Sequence, residues 1–195
     1  MKLIKLLFTA FALLLCSGVV CAHDFEQDGI YYNILPETDK TVEVTFKGDR
    51  YSSYKNEYSG SVVIPESVTN GDVTYKVIRI GVGAFYACDS LTSIVIPDAV
   101  TSIGDYAFRG CSNLSSVTIG KGVTSIGEYA FSRCSSLTSI VIPDEVTSIG
   151  ESAFRHCTSL TKVVIEEGVE SIGLDAFYKC TSLENVYYNG IIEEW

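Results

Sequence analysis

The sequence predicts an α/β solenoid. Each coil carries one strand of a parallel β-sheet on one face and a short helical turn on the other, and a β-rich cap closes the amino end. Three observations carry this reading. Cys88, Cys111, Cys134, Cys157 and Cys180 stand 23 residues apart. Phe85, Phe108, Phe131, Phe154 and Phe177 keep the same step, as do Leu91, Leu114, Leu137, Leu160 and Leu183 and the glycines Gly81, Gly104, Gly127, Gly150 and Gly173. The apolar residues between these columns are mostly β-branched, which suits strands rather than long helices.

One unit runs Leu91-Thr-Ser-Ile94-Val-Ile96-Pro97, then Val100, Ile103-Gly104, Ala107-Phe108 and Cys111. The two-residue step from Ile94 to Ile96 sets both on one face and turns Val95 to the other. The three- to four-residue step from Ala107-Phe108 to Cys111 predicts a helical turn. Asp105 and Arg109, Glu151 and Arg155, and Asp175 and Lys179 stand four apart with the acid first, the favoured order for pairs along a helix. At 23 residues the unit falls in the leucine-rich-repeat range. Such a unit cannot bury its own apolar side, so copies must stack and join their strands.

The first 22 residues predict a signal peptide. Lys2 and Lys5 precede an apolar run, Leu6 to Leu15, and Val20-Cys21-Ala22 offers small residues before a cut at His23. Leu15 is large for the position before a lipidated Cys16. Residues 23–60 predict the cap, with strand patterns at Gly29–Ile34 and Thr41–Phe46. Residues 61–90 read as a degenerate first repeat, whose insertion carries Asn70-Gly71 between strand formers, a hairpin signal. Residues 91–195 hold the regular repeats. Ile192 and Trp195 fall on the Val and Ile columns, but no Gly-x-x-Ala-Phe follows. Either a different terminal turn closes the array or further units belong there.

The chain holds 14 basic and 24 acidic residues. Loss of residues 1–22, which include Lys2 and Lys5 and no acid, leaves 12 and 24, a charge of −12. That balance argues against nucleic acid as a partner. No stretch after the signal is long and apolar enough to span a bilayer. Catalysis is not expected. The serines near Ser112, Ser115 and Ser116 lack a histidine base, His156 sits beside a core-column cysteine, and no phosphate-cradling glycine pattern occurs. A cysteine column spread along an axis cannot converge on a metal, and no cofactor is expected. The thiols read as small buried apolar residues rather than disulfides.

The pattern Ile-Gly-x-x-Ala-Phe-x-x-Cys-x-x-Leu-x-x-Val/Ile-x-Ile-Pro stands at Ile103–Phe108 and Cys134–Pro143. It closely resembles the BspA-like leucine-rich repeats of bacterial surface proteins, over roughly residues 61–195. Gly120 and Glu166 depart from it where proline is usual, and Leu174 where an acid is usual. The resemblance implies export, a secreted or cell-surface location, adhesion to host or microbial surface and matrix proteins or glycans, and no catalytic residues. In a solenoid the broad sheet face meets partners. The candidate binding residues are therefore the outward strand positions Ser93, Val95, Ser116, Thr118, Ser139, Val141, Lys162, Val164, Asn185 and Tyr187. Protein binding through this face is the leading expectation. Alternatives are glycan binding, with Tyr51, Tyr54 and Tyr58 as stacking platforms, and a structural spacer in a longer array.

Overall fold

The computed structural model describes residues 23–52 and 56–190. The expected signal segment, Tyr54, Ile192 and Trp195 lie outside them. The chain starts with β1 (Phe25–Gln27), β2 (Ile30–Ile34) and β3 (Thr41–Thr45), paired antiparallel in sequence order. Asp28 and Gly29 make the first turn with φ of 53° and 79°, the twist that a two-residue hairpin demands. Next come β4 (Gly60–Val63), β5 (Ser67–Asn70) and β6 (Val73–Ile80). β5 and β6 form an antiparallel hairpin closed by Gly71 and Asp72, and β6 lies parallel to β3.

From there the chain winds in coils whose strands alternate between two walls. The first wall holds β7 (Leu91–Val95), β9 (Ser116–Thr118), β11 (Ser139–Ile142), β13 (Lys162–Ile165) and β15 (Asn185–Tyr188). The second holds the two-residue strands β8 (Ser102–Ile103), β10 (Ser125–Ile126), β12 (Ser148–Ile149) and β14 (Ser171–Ile172). All pairings between coils are parallel. The second wall continues through β6 into β3, β2 and β1 as one nine-stranded sheet. The first wall divides into two three-stranded sheets, β4-β7-β9 and β11-β13-β15. The sequence therefore led to one sheeted face where the molecule has two. A two-residue strand such as Ser102–Ile103 carries too few alternations to register as a periodicity.

The third side of each coil corrects a second expectation. Among the described residues no helix forms. Between Gly104 and Cys111 the backbone makes an arch of successive tight turns. The N–H groups of Ala107, Arg109 and Cys111 close locally on the carbonyls of Gly104, Tyr106 and Phe108. The alternate N–H groups, of Tyr106, Phe108 and Gly110, reach the carbonyls of Glu128, Ala130 and Ser132 in the next coil. Every backbone donor from Tyr106 to Cys111 is thus satisfied, half within the arch and half between arches, as buried backbone requires. The three-residue closure imitates helical spacing in sequence, so the two are not distinguished by spacing alone. Two left-handed corners per arch enforce the alternation. They fall at Gly83, Tyr106, Tyr129, Ser152 and Asp175, and at Ala87, Gly110, Arg133, His156 and Lys179. The four-apart acid–base pairs of a helix do not form; Arg155 instead meets Asp175 of the next coil at 3.5 Å.

Inside the triangle the columns stack in files. Phe85, Phe108, Phe131, Phe154 and Phe177 lie face to face at 4.9 to 5.3 Å. The first four are fully buried, beside the Leu91, Leu114, Leu137 and Leu160 file. Each such side chain contributes roughly 1.5–3 kcal/mol by leaving water.

Candidate functional site: the strand face

The parallel register of the first wall decides which outward residues become neighbours. Side chains at one repeat position line up across coils because each strand pairs with its copy without slippage. One row runs Ser93–Ser116 in the first three-stranded sheet and Ser139–Lys162–Asn185 in the second. The other runs Val95–Thr118 and Val141–Val164–Tyr187. All ten expected positions thus lie on one wall. Val95, Val141 and Tyr187 are 38%, 52% and 49% exposed, while Val164 and Ser93 are half-buried.

The wall changes character along its length. At its amino end it is flat and built of small residues. Toward the carboxyl end, Lys162 places its ammonium 5.0 Å from the centre of the Tyr187 ring. A cation over an aromatic face orders both side chains and sets a charged, partly apolar anchor on the surface.

Two features of the wall were missed in the sequence. Ser61 and Val63 of β4 extend both rows by one coil. Ser93 donates its hydroxyl to Ser61 Oγ at 2.7 Å, and Val63 is 64% exposed. The signal was present, since Val62-Val63-Ile64-Pro65 repeats Ile94-Val95-Ile96-Pro97. The second feature is a recess of about 520 Å³ at the end of the wall, where Ile119, Val141 and Pro143 meet Lys121 and the three acids Asp144, Glu166 and Glu167. Asn189 donates to Glu166 Oε2 at 2.8 Å and braces its rim. Glu166 stands where Pro65, Pro97 and Pro143 stand in other coils, so a departure from the pattern marked the place.

The tyrosines proposed as sugar platforms fare differently. Tyr58 is buried and donates its hydroxyl to the Thr45 carbonyl at 2.7 Å. It is a core residue and offers no open ring, because its polar end is spent inside the fold. Burial holds its phenol well above the usual range. Tyr51 packs its ring edge to face on Tyr86 at 5.0 Å and parallel to Tyr106 at 6.2 Å.

The described residues hold no cluster of three His, Cys, Asp or Glu that could grip a metal. No helix among them is long and apolar enough to cross a membrane.

A triangular coil with stacked Phe, Leu and Cys files and parallel sheets defines a leucine-rich-repeat solenoid. The match of residues 78–195 to the BspA type leucine rich repeat region, in six copies, makes it specific: the chain belongs to that family. Solved structures agree. A leucine-rich repeat protein from Bacteroides ovatus ATCC 8483 is 40% identical, with a TM-score of 0.74 over 85% of this chain and 41% of its own. The T. pallidum leucine rich repeat protein is 30% identical, with a TM-score of 0.72 over 83% of this chain and 70% of its own. A leucine-rich repeat protein from Bacteroides capillosus ATCC 29799 is 28% identical, with a TM-score of 0.59 over 85% of this chain and 98% of its own. The chain spans about two-fifths of the B. ovatus protein. No curated protein matches the sequence.

Proposed function

We propose that this is an exported, non-enzymatic adhesion module that binds a surface or matrix protein through its strand face. The observation that carries this reading is the union of two in-register rows with one aromatic–cation anchor, Lys162 over Tyr187. A flat face of small residues excludes no large partner by shape, and a Tyr with a neighbouring cation is the kind of group on which interface energy concentrates. The acidic recess beside Val141 adds a subsite for a basic side chain of the partner, whose apolar stem would lie on Ile119 and Pro143. The signal-like first 22 residues and the family support a secreted or cell-surface setting.

The test is a binding panel of purified host matrix and surface proteins against the mature chain. A partner should bind at micromolar concentration or better. Replacing Lys162 and Tyr187 together by Ala should weaken it by about tenfold or more, the effect of losing an anchor worth roughly 2 kcal/mol. A partner whose affinity ignores both changes would remove the strand face from the reading.

A further inference from the structure

The basic row of the repeats has no helix to support, so its cations need another account. Arg109, Arg133, Arg155 and Lys179 are a third of the 12 bases in residues 23–195, and all four lie on the arches. The arches sort their charge. Asp105, Glu128 and Glu151 occupy the entry of each arch. The second left-handed corner carries Gly110, Arg133, His156 and Lys179 in successive coils. These corners are laced together: Gly110 donates to Ser132 O, Arg133 to Arg155 O and His156 to Tyr178 O, at 2.8 to 2.9 Å. Their side chains therefore rise from adjacent rungs about 4.8 Å apart. The charges acting on His156 are those of Lys179, Arg155 and Arg133, all cationic.

The same column encloses space. Because Gly110 has no side chain, a shallow depression of about 490 Å³ opens over it, lined by Gly110, Arg133 and His156 on one side and Ser112, Ser135 and Thr158 on the other. One wall of this depression carries the Arg133 cation and the imidazole of His156, which desolvation and the neighbouring cations bias toward its neutral, hydrogen-bonding form, and the other is a row of hydroxyls. Ser112 is held by Asp89 at 2.8 Å and Ser135 by the Ser112 carbonyl at 3.1 Å, so these hydroxyls are fixed in place.

Tyrosine rings flank the corners. Tyr106 and Tyr129 stack at 5.4 Å, and the Arg109 guanidinium lies 5.5 and 5.6 Å from their centres. Arg155 sits 4.8 Å from the Tyr178 ring. Tyr106 lies between Tyr51 and Tyr129, so it presents its edge and phenol group to a ligand. The phenol groups can exchange hydrogen bonds with a hydroxyl-rich ligand.

We infer that the arch face binds an anionic polysaccharide, with a sugar ring seated over Gly110 against the serine row and its sulfate or carboxylate held by Arg133, His156 and Lys179. A repeating ligand fits a repeating column, and guanidinium and ammonium groups are the donors that hold such anions. The site lies on a different wall from the strand face, so the two can be tested apart.

The experiment measures binding of the mature chain to heparin, hyaluronan and neutral dextran at near-physiological salt. Heparin should bind and dextran should not. Binding of hyaluronan as well assigns the carboxylate as sufficient, whereas its failure assigns sulfate; both support the site. Arg133→Gly combined with Lys179→Ala should lower heparin affinity by about a hundredfold, roughly tenfold per charge-assisted contact. Glycine already serves at the equivalent corner one coil earlier, Gly110, so the fold should tolerate the change. Lys162→Ala on the strand face should leave heparin binding unchanged. In the unaltered protein, saturating heparin should protect the Lys179 amine from acetylation while Lys162 stays reactive. Absence of heparin binding, equal binding by the double variant, or an unprotected Lys179 would each overturn the inference.

Discussion

The thiol of Cys134 donates a hydrogen bond to the carbonyl oxygen of Phe108, one coil back, at 3.2 Å. Cys111, Cys157 and Cys180 do the same to Phe85, Phe131 and Phe154 at 3.0 to 3.1 Å. The Phe108 carbonyl also accepts the N–H of Cys111 at 3.1 Å. One oxygen thus ties its own arch shut and binds the next coil. A thiol is small enough for the file and still carries a proton to donate, which a bridged sulfur would not.

Cys88, Cys111 and Cys134 should accordingly be inert in the native protein. Burial pushes the Cys88 thiol up to about 11 and holds Cys134 and Cys111 higher. Because the folded values are raised, their contribution is intact below about pH 9, where the unfolded thiols begin to ionise. It is lost as pH climbs through the folded values, since the unfolded chain then holds fewer protons. Stability measured by denaturant melts should be flat from pH 7 to 8.5 and fall steadily above 9. Iodoacetamide at pH 8 should spare these three in the native chain and label every cysteine in the unfolded chain, read by intact mass, whereas half-buried Cys180, whose thiol is lowered by its hydrogen bond with Cys157, should react first. Rapid native labelling of Cys134 would contradict its burial.

The phenylalanine file predicts a gradient. Phe131 is clasped between Phe108 and Phe154 at 5.0 and 5.2 Å and is fully buried. Phe131→Ala should cost ~3–5 kcal/mol. Phe177 has a described ring neighbour in Phe154 and is half-buried, so Phe177→Ala should cost visibly less. Equal losses in chemical denaturation would argue against a stacked file.

Much of this was legible in the sequence because stacking translates period directly into contact. Ile94 and Ile96 point inward and Val95 outward, as their alternation demands. The arch was not legible, and the reason is local. Left-handed corners usually announce themselves with Gly or Asn, yet here they hold Tyr106, Tyr129, Arg133, Ser152, His156 and Lys179. Contacts between coils override the local preference, and a single coil read alone resembles a helical turn. The outward strand rows were legible for the same reason as the core. The basic corner column was not, because Arg109 and Arg133 belong to different columns that only the true arch geometry separates.

The glycine column predicts a second kind of sensitivity. A Cβ on Gly150 would lie 2.5 Å from Gly127 C and 2.6 Å from Glu128 N, both backbone atoms of the preceding coil. Neither can move without parting the coils. Gly150→Ala should therefore destabilise by about 1–3 kcal/mol or more through overpacking, although alanine is ordinarily the better residue for a folded chain. A thermal melt showing no loss would mean that coils can separate freely at this point.

The left-handed corners invert an ordinary ranking. Tyr129 holds φ at 54° and gains in return its stack on Tyr106 and its contact with Arg109. Tyr129→Ala removes those contacts, worth about 0.5–1.5 kcal/mol, and keeps the left-handed cost of roughly 1–2 kcal/mol that a Cβ imposes. Tyr129→Gly removes the same contacts and also that cost, against an unfolded-state penalty of about 0.4–1 kcal/mol. The glycine variant should therefore be the more stable of the two by about 0.5–1 kcal/mol, and close to the parent chain. Paired urea melts would decide it. If alanine proved the more stable, the corner would have to be right-handed in solution, and the alternating hydrogen bonds between arches could not form as described.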